Sequence, residues 1–596
     1  MAPLWRRADA RLPLALLVAA ALYAGLAIAA SRAQSSTFDE PIHLPPGYLS
    51  LTLGDHRMNP DHPPLVRRWA ALPLLFLDVK WERDDFAFKV GRPWEFGKRF
   101  LYRWNDAETL LFWGRLPIVA LGVLLLAAVF FFTRSRYGES AAVLALFLGA
   151  LNPDLLAHGA IVSTDLGIAL FTFLGVLAFL RMVERVTPLR VVIAGLTVGA
   201  ACATKFSGIG LVPMLGLSAL LVALDDAPLA VALRGVPREV STRSGKLATF
   251  GVVFAVMGVA AVFMVWAAYG FHAPLAVDAE ANARIFDWGT VELPRPWLQA
   301  VFTLLRRSGG LPQAWIWGVQ HFLVHAEGRP AFLLGQYSES GWWYYFPTTF
   351  ALKTPIALLV LFAAGLLTAR RTASARRTEI LLFVPLAVLV ALSVSQRINI
   401  GHRHLLPLYP FVLVIAGRVA ALAFPPRPGG SVPALAVGAL CLWQAGATAW
   451  AYPHYLAYFN ELAGGPSNGW RLLSDSNVDW GQGLKGLRQW MERTGVTRLK
   501  LAYFGTADVK YYGVDADRLP GYQPPPPSAT VRKIRPGDIV AVSATLLQGL
   551  YVEEGMRPLM ERLRSLPPVT VIGHSIFVYR VDFGYDIPSA SEDPQP

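Results

Sequence analysis

The chain has 596 residues, of which 54% are hydrophobic and only 16% charged, with a formal net charge of +13. That balance excludes an ordinary soluble protein of this length and calls for many membrane spans. It also excludes a nucleic-acid binder, because the basic residues sit in short loops between apolar segments and no nucleic-acid module is present.

Arg6, Arg7 and Arg11 precede the apolar segment Leu12–Ala30. A charged start, an apolar stretch and a small-residue end also describe a signal peptide. This segment is long enough to span and many spans follow, so it is expected to be kept as the first span. The arginines mark the inner side. Residues 31–109 then form a long outer loop, in which Trp69–Leu77 is apolar, too short to cross, and expected along the interface. Just beyond the first span come Phe38-Asp39-Glu40 and His43, and further on Asn59-Pro60-Asp61-His62-Pro63-Pro64-Leu65.

A second span near Leu116–Phe132 ends at Arg134-Ser135-Arg136, an inner loop. The third, Ala141–Leu156, is followed by an outer turn with His158 and Ser163-Thr164-Asp165. The fourth, Leu166–Leu180, returns to Arg181, Arg185 and Arg190. Spans five and six flank Thr204-Lys205-Phe206-Ser207-Gly208. The loop Asp225–Leu247 carries Arg234, Arg238, Arg243 and Lys246 and is inner. Phe250–Tyr269 goes out again to a second large outer loop, 270–345, which ends in the aromatic run Trp342-Trp343-Tyr344-Tyr345, an expected interface belt. The eighth span, Pro347–Leu367, precedes Arg370, Arg371, Arg376 and Arg377. The ninth ends at Gln396-Arg397, the outer turn Ile398–His404 follows, and Leu405–Ala423 and Pro433–Trp450 complete the set. Loop charges alternate consistently over about eleven spans, so the N-terminus is expected inside and the C-terminus outside, in a bacterial plasma (inner) membrane.

The chain divides into a membrane part, 1–450, and a C-terminal part, 451–596, expected as a small extracytoplasmic α/β domain. Strand-like stretches are Leu499–Phe504, Asp538–Ser543 and Thr570–Val581; helical ones are Leu484–Thr494 and Met556–Leu566; Pro524–Pro527 is a proline run. Both cysteines, Cys202 and Cys441, lie in apolar segments, so neither a disulfide nor a cysteine metal site is expected.

Two adjacent carboxylates at the outer membrane surface can do proton chemistry. A carboxylate there can take a proton from an acceptor hydroxyl, whose oxygen then attacks an anomeric carbon. His43, Asp61 and His62 add polar groups on a backbone stiffened by Pro63-Pro64. The bland alternative is an acidic pair in a wet loop.

The pattern of span, Asp39-Glu40, then His62-Pro63-Pro64-Leu65 in a long first outer loop resembles the protein O-mannosyltransferases and the lipid A aminoarabinose transferases. Ser163-Thr164-Asp165, Gly341–Phe346 followed by Lys353-Thr354-Pro355, and Gly401–Pro407 extend the resemblance along 1–450. These are glycosyltransferases of the C-type membrane fold. The resemblance implies a polytopic helical protein of that fold, a donor sugar on a polyprenyl phosphate, and Asp39 as the base, with Glu40 beside it. Where mannosyltransferases have Gly-Lys after this motif the chain has Val66-Arg67, which keeps the charge and leaves the sugar open.

Such a donor leaves as a phosphate and needs cations, bidentate from Arg or point-like from Lys. Outer-end candidates are Arg115, Lys205, Lys353, Arg397, His402, Arg403 and His404. The alternative for each is snorkelling to headgroups; it describes Arg115 and Arg397 well, whereas Gly401–His404 is denser than snorkelling requires. Asp165 either orients donor or acceptor or caps the fourth span. His43, Asp61, His62, His158 and Asp165 are metal-ligand types, but their spacing fits no standard motif, so no metal is expected.

Gly481-Gln482-Gly483-Leu484-Lys485-Gly486 satisfies G-x-G-x-x-G without a strong strand before it, which argues against a dinucleotide site. Asp475-Ser476-Asn477-Val478-Asp479 begins like a calcium loop, but Trp480 and Gly486 stand where Gly and Glu are needed, so Asp479 is expected to cap the next helix. The resulting expectation is an inverting sugar transfer from a polyprenyl phosphate to a hydroxyl on a protein, lipid or glycan, among membrane lipids. The rivals are a transporter or lipid flippase, which would want ionisable groups at mid-depth rather than at outer ends, and a non-catalytic lipid-binding scaffold.

Overall fold

The computed structural model describes residues 11–233, 236–325, 328–372, 374–423, 431–522 and 531–588. Arg6, Arg7, Arg234 and the run Pro524–Pro527 lie outside them. Among the described residues, 8 helices are long and apolar enough to cross a membrane, and up to 10 spans result if each of two bent helix pairs counts as one. The protein is a polytopic α-helical integral membrane protein. The further segment behind the expectation of about eleven is the helix Pro188–Cys202, apolar but below that length.

The two bends have a local cause. Ala141–Leu156, expected as one span, is Glu139–Ala150 followed by Pro153–Gly159 at 59°. Asn152 restarts the helix: its side chain accepts from the Leu155 N–H at 3.0 Å, with Pro153 at the first helical position. Tyr345–Lys353 meets Ile356–Leu367 at 114°. Pro355 can neither donate a helical bond nor tolerate a helical residue before it, and Thr354 is accordingly extended, with ψ 133°. Elsewhere close packing uses small residues. A Cβ on Gly195 or Gly199 would lie 2.5 Å from the carbonyls of Met257 or Ala261 in the helix Arg243–Ala268, so both positions need glycine for the helices to touch.

The outer loops are structured. Leu65–Ala71 and the 3₁₀ turn Leu72–Phe76 leave Trp69, Leu75 and Phe76 exposed, the arrangement expected of a segment lying in the interface. In the second loop the helix Pro296–Ser308 similarly exposes Trp297, Val301 and Leu304. The aromatic run splits: Trp343 is exposed, whereas Tyr345 is buried and its hydroxyl accepts from Asn477 Nδ2 at 3.0 Å.

The C-terminal part carries a five-stranded sheet in the order Ala516–Arg518, Leu499–Ala502, Ile539–Ser543, Ile576–Arg580, Thr570–Ile572. Leu499–Ala502 runs parallel to both its neighbours, and the other pairings are antiparallel. The helix Leu484–Thr494 lays Leu484, Leu487 and Met491 on one face of the sheet, against Leu501, Ile576 and Val578. Thr570–Val581, expected as one strand, is a hairpin instead, because Gly573 and His574, at φ +54° and +60°, reverse the chain.

This part is joined to the first outer loop through the backbone. The Phe38 N–H donates to the Trp480 carbonyl at 2.8 Å, Ser35 N–H to the Gln482 carbonyl at 3.1 Å, and Thr506 Oγ1 to the Phe38 carbonyl at 2.7 Å. The two regions therefore share one side of the helical array.

A buried ion pair fixes the root of that loop. Glu40, 0% exposed, receives Arg115 Nε at 2.7 Å and Nη2 at 2.6 Å, and also the N–H groups of Thr37 at 2.8 Å and Val162 at 2.9 Å. Arg115 also donates to the carbonyls of Ser31 at 2.8 Å and Ser35 at 3.0 Å. First span, second span and the turn before the fourth thus meet at one bidentate pair. Arg115→Met leaves a buried carboxylate without its countercharge and is expected to cost roughly 3–5 kcal/mol. Denaturant unfolding of the purified protein in detergent checks it; an unchanged midpoint would show that the pair does not hold the fold.

Candidate active site

Asp39 is the residue preceding the first turn of the helix Glu40–Leu53, and its side chain makes no capping bond. Its carboxylate is turned to Arg403, whose Nη1 donates to Oδ2 at 2.9 Å. Arg403 lies on the 3₁₀ turn His402–Leu408. Its guanidinium stacks on the Trp480 ring at 4.2 Å from the centroid, and its Nη1 lies 3.8 Å from Asp165 Oδ2. Asp165 opens the fourth span, where the helix N-terminus favours negative charge, and accepts from Lys205 Nζ at 2.6 Å. Charges therefore alternate along Asp39, Arg403, Asp165 and Lys205, with the Arg403 Nε buried and without a partner.

Glu40 belongs to the pair with Arg115, and Arg115 is buried there rather than reaching to headgroups. His43 is buried with its ring edge-on to His62 at 4.8 Å; burial, with the charge of Arg67 adding, pushes it down to about 3, so it is neutral. His62 contacts Asn59 Oδ1 at 3.1 Å. Asp61 is half exposed and pairs with His321 of the second outer loop at 2.7 Å.

Lys353 donates to the carbonyls of Leu456 at 2.9 Å and Asn477 at 2.6 Å and is buried over the Phe459 ring. His402 is buried between Thr349 Oγ1 at 3.2 Å and the Tyr409 hydroxyl at 2.7 Å, and its own N–H donates to Asn477 Oδ1 at 2.8 Å. Both side chains serve internal carbonyl and hydroxyl partners. His404 is half-buried, 3.4 Å from Gln396 Oε1. Arg397 is exposed, as a snorkelling side chain requires. His158 is buried facing the Trp480 ring, with Nδ1 unpartnered. Asp165 does not cap its helix: that position belongs to Thr164.

Sequence reasoning missed the segment Ser474–Gln482 as part of this site. Asn477 receives His402, holds Lys353 through its carbonyl and donates to Tyr345, and Trp480 underlies Arg403. The expectation that Asp479 caps the next helix is corrected: the helix starts after Gly483, and Asp479 Oδ1 and Oδ2 accept from the N–H groups of Gly481 at 3.2 Å and Thr545 at 3.4 Å. Burial pushes Asp479 up to about 7. Asp475 stands at φ +54°, its Oδ1 taking the Ser476 N–H at 2.6 Å. Burial pushes it up to about 6, with the pull of Arg403 working against the rise and the charge of Asp39 adding to it. Among the described residues, no three His, Cys, Asp or Glu side chains come together in a way that could hold a metal ion.

A family model described as dolichyl-phosphate-mannose-protein mannosyltransferase matches residues 109–231. The chain resembles the polyprenyl-phosphate-sugar-dependent membrane glycosyltransferases. The crystal structure of ArnT from Cupriavidus metallidurans bound to undecaprenyl phosphate aligns over 96% of this chain and 99% of its own, at 11% identity and a TM-score of 0.43. The archaeal oligosaccharyltransferase AglB from Archaeoglobus fulgidus, in complex with an inhibitory peptide and a dolichol-phosphate, aligns over 74% of this chain and 56% of its own, at 16% identity and a TM-score of 0.41. No curated protein matches the sequence.

The raised Asp479 carboxyl has a consequence for stability. The fold binds its proton more tightly than the unfolded chain does, so this contribution is fully present below the ordinary value of 3.8 and is lost as pH rises through about 7. Asp479→Asn removes it. The melting temperature of the wild type relative to this variant is expected to fall between pH 5 and pH 8; a difference that does not change with pH would place the proton elsewhere.

Proposed function

We propose that the protein transfers a sugar from a polyprenyl-phosphate donor to an acceptor hydroxyl at the outer surface of the membrane. The observation that carries this is the Asp39 carboxylate held against the stacked guanidinium of Arg403, with Asp165 and Lys205 behind it. A leaving phosphate brings negative charge to Arg403 and Lys205, where a charge-assisted fork and a point charge meet its oxygens. It competes with Asp39 for the Arg403 donors. Asp39 then accepts the proton of the incoming hydroxyl while the oxygen attacks the anomeric carbon from the side opposite the phosphate, which inverts that centre. Trp480 keeps the guanidinium desolvated on one face, which strengthens its hold on phosphate.

In this scheme Glu40 positions the loop and does not react, since all its oxygens have donors. His43, His62 and His404 lie within the electrostatic reach of Lys205, while Lys353 and His402 fix the backbone that presents Arg403. Both outer loops and the C-terminal part face the extracytoplasmic side, with the N-terminus inside, following the loop charges.

Two experiments test the proposal. With a panel of polyprenyl-phosphate sugars and release of polyprenyl phosphate as readout, Asp39→Asn is expected to lower turnover by on the order of 10²–10⁴-fold. Arg403→Ala should raise the donor KM while Arg397→Ala does not; equal, small effects would remove Arg403 from the phosphate site, and near-normal turnover of Asp39→Asn would remove the base. For orientation, single cysteines replacing the exposed Glu82 and Glu492 in a background lacking Cys202 and Cys441 should both react with an impermeant reagent on intact spheroplasts. Protection of both would invert the proposed sidedness.

A further inference from the structure

A set of rings next to Asp39 takes no part in the scheme above. Phe38 stacks on Phe504 at 5.2 Å between centroids and packs on Tyr522 at 5.4 Å. Phe504 stacks on Tyr551 at 5.6 Å, and Tyr522 meets Tyr551 at 4.9 Å. All but Phe38 come from the C-terminal part. Phe38 and Phe504 are buried, Tyr551 is partly buried, and Tyr522 is 43% exposed.

This cluster ends on a carboxyl group. The Tyr551 hydroxyl donates to Asp475 Oδ2 at 3.3 Å. Both residues have φ +54°, a conformation that side-chain-bearing residues seldom adopt and that surrounding structure must hold. Here that holding is visible, with the Asp475 N–H donating to Thr545 Oγ1 at 3.2 Å. Asp475 and Asp39 share the field of Arg403.

Resting on the donor reading above, we propose that Tyr522, Tyr551 and Asp475 form a subsite for a sugar ring beside Asp39. The C–H face of a pyranose carries partial positive charge and lies on the negative face of an aromatic ring. Its hydroxyls can donate to the remaining lone pairs of the Asp475 oxygens, beside the Ser476 N–H and the Tyr551 hydroxyl. A lipid tail would cover the rings and exclude water but bring no further donor to Asp475, whose Oδ2 is held by the Tyr551 hydroxyl at 3.3 Å. The sugar comes either from the donor or from the acceptor; the chemistry of recognition is the same.

The test uses the full chain in detergent, with Tyr522→Ala as the main variant, because its side chain is exposed, and Asp475→Asn as the second. Four probes are titrated: free disaccharides of several compositions, undecaprenyl phosphate, polyprenyl-phosphate mannose, and a serine- and threonine-containing peptide. Loss of one stacking contact is expected to weaken sugar binding about tenfold in Tyr522→Ala, with undecaprenyl phosphate affinity unchanged. If the loss falls on free disaccharides, the subsite holds the acceptor sugar; if it falls only on the extra affinity of polyprenyl-phosphate mannose over undecaprenyl phosphate, it holds the donor sugar. The proposal is overturned if Tyr522→Ala binds every sugar probe as the wild type does, if the wild type binds undecaprenyl phosphate but no sugar, or if the Tyr522-dependent ligand is a serine- and threonine-containing peptide. Sugar binding that depends on Tyr522 in a protein that ignores undecaprenyl phosphate upholds the subsite and overturns the donor reading instead.

Discussion

The two adjacent carboxylates of the first outer loop divide their duties through one desolvated interaction. Glu40 is saturated by Arg115 and two backbone donors, and this fixes the loop against two spans and the turn before a third. A buried charge so thoroughly paired has no spare oxygen for chemistry, and unpairing it is costly. Its neighbour Asp39 begins the same helix without a capping role and faces the other way, toward Arg403. The rigid member of the pair sets the direction of the available one.

Arg403 in turn depends on the C-terminal segment. Trp480 lies under its guanidinium, Ser476 Oγ donates to the Ile400 carbonyl at 2.9 Å, and Asn477 holds the first N–H of the turn. Lys353 and His402, which look like phosphate ligands by residue type, instead bind carbonyl and hydroxyl groups that lock this junction. Buried polar networks of this kind rigidify when every member is satisfied.

Much of this was legible beforehand. The apolar segments appear as helices where hydropathy and loop charge put them, and Leu484–Thr494 stands out because Leu484, Leu487 and Met491 fall on one helical face. Asp39 was singled out by its place beyond the first span together with the family resemblance, and Arg403 only as one member of the dense turn Gly401–His404. The bends were not, because Pro153 and Pro355 lie in stretches whose average hydropathy hides a break. Lys353 and His402 could not be sorted from Arg403, since a cation beside an apolar segment reads the same whether it meets a carbonyl or solvent. Trp480 left no periodic trace: an aromatic residue in an irregular loop carries no signal of the guanidinium it covers. Asp479 was misread because the residue that starts its helix, Gly483, looks like linker.

The backbone bond from Phe38 to Trp480 joins residues separated by most of the chain. During synthesis the Asp39 loop emerges first and Arg403 before the last span, yet the Trp480 segment that binds both arrives only after that span. Until that segment docks, the Phe38 N–H and the face of the Arg403 guanidinium lack the partners that hold them. A chain stalled before Trp480 therefore carries Asp39, Asp165, Lys205 and Arg403 without the segment that clamps the loop and covers the guanidinium.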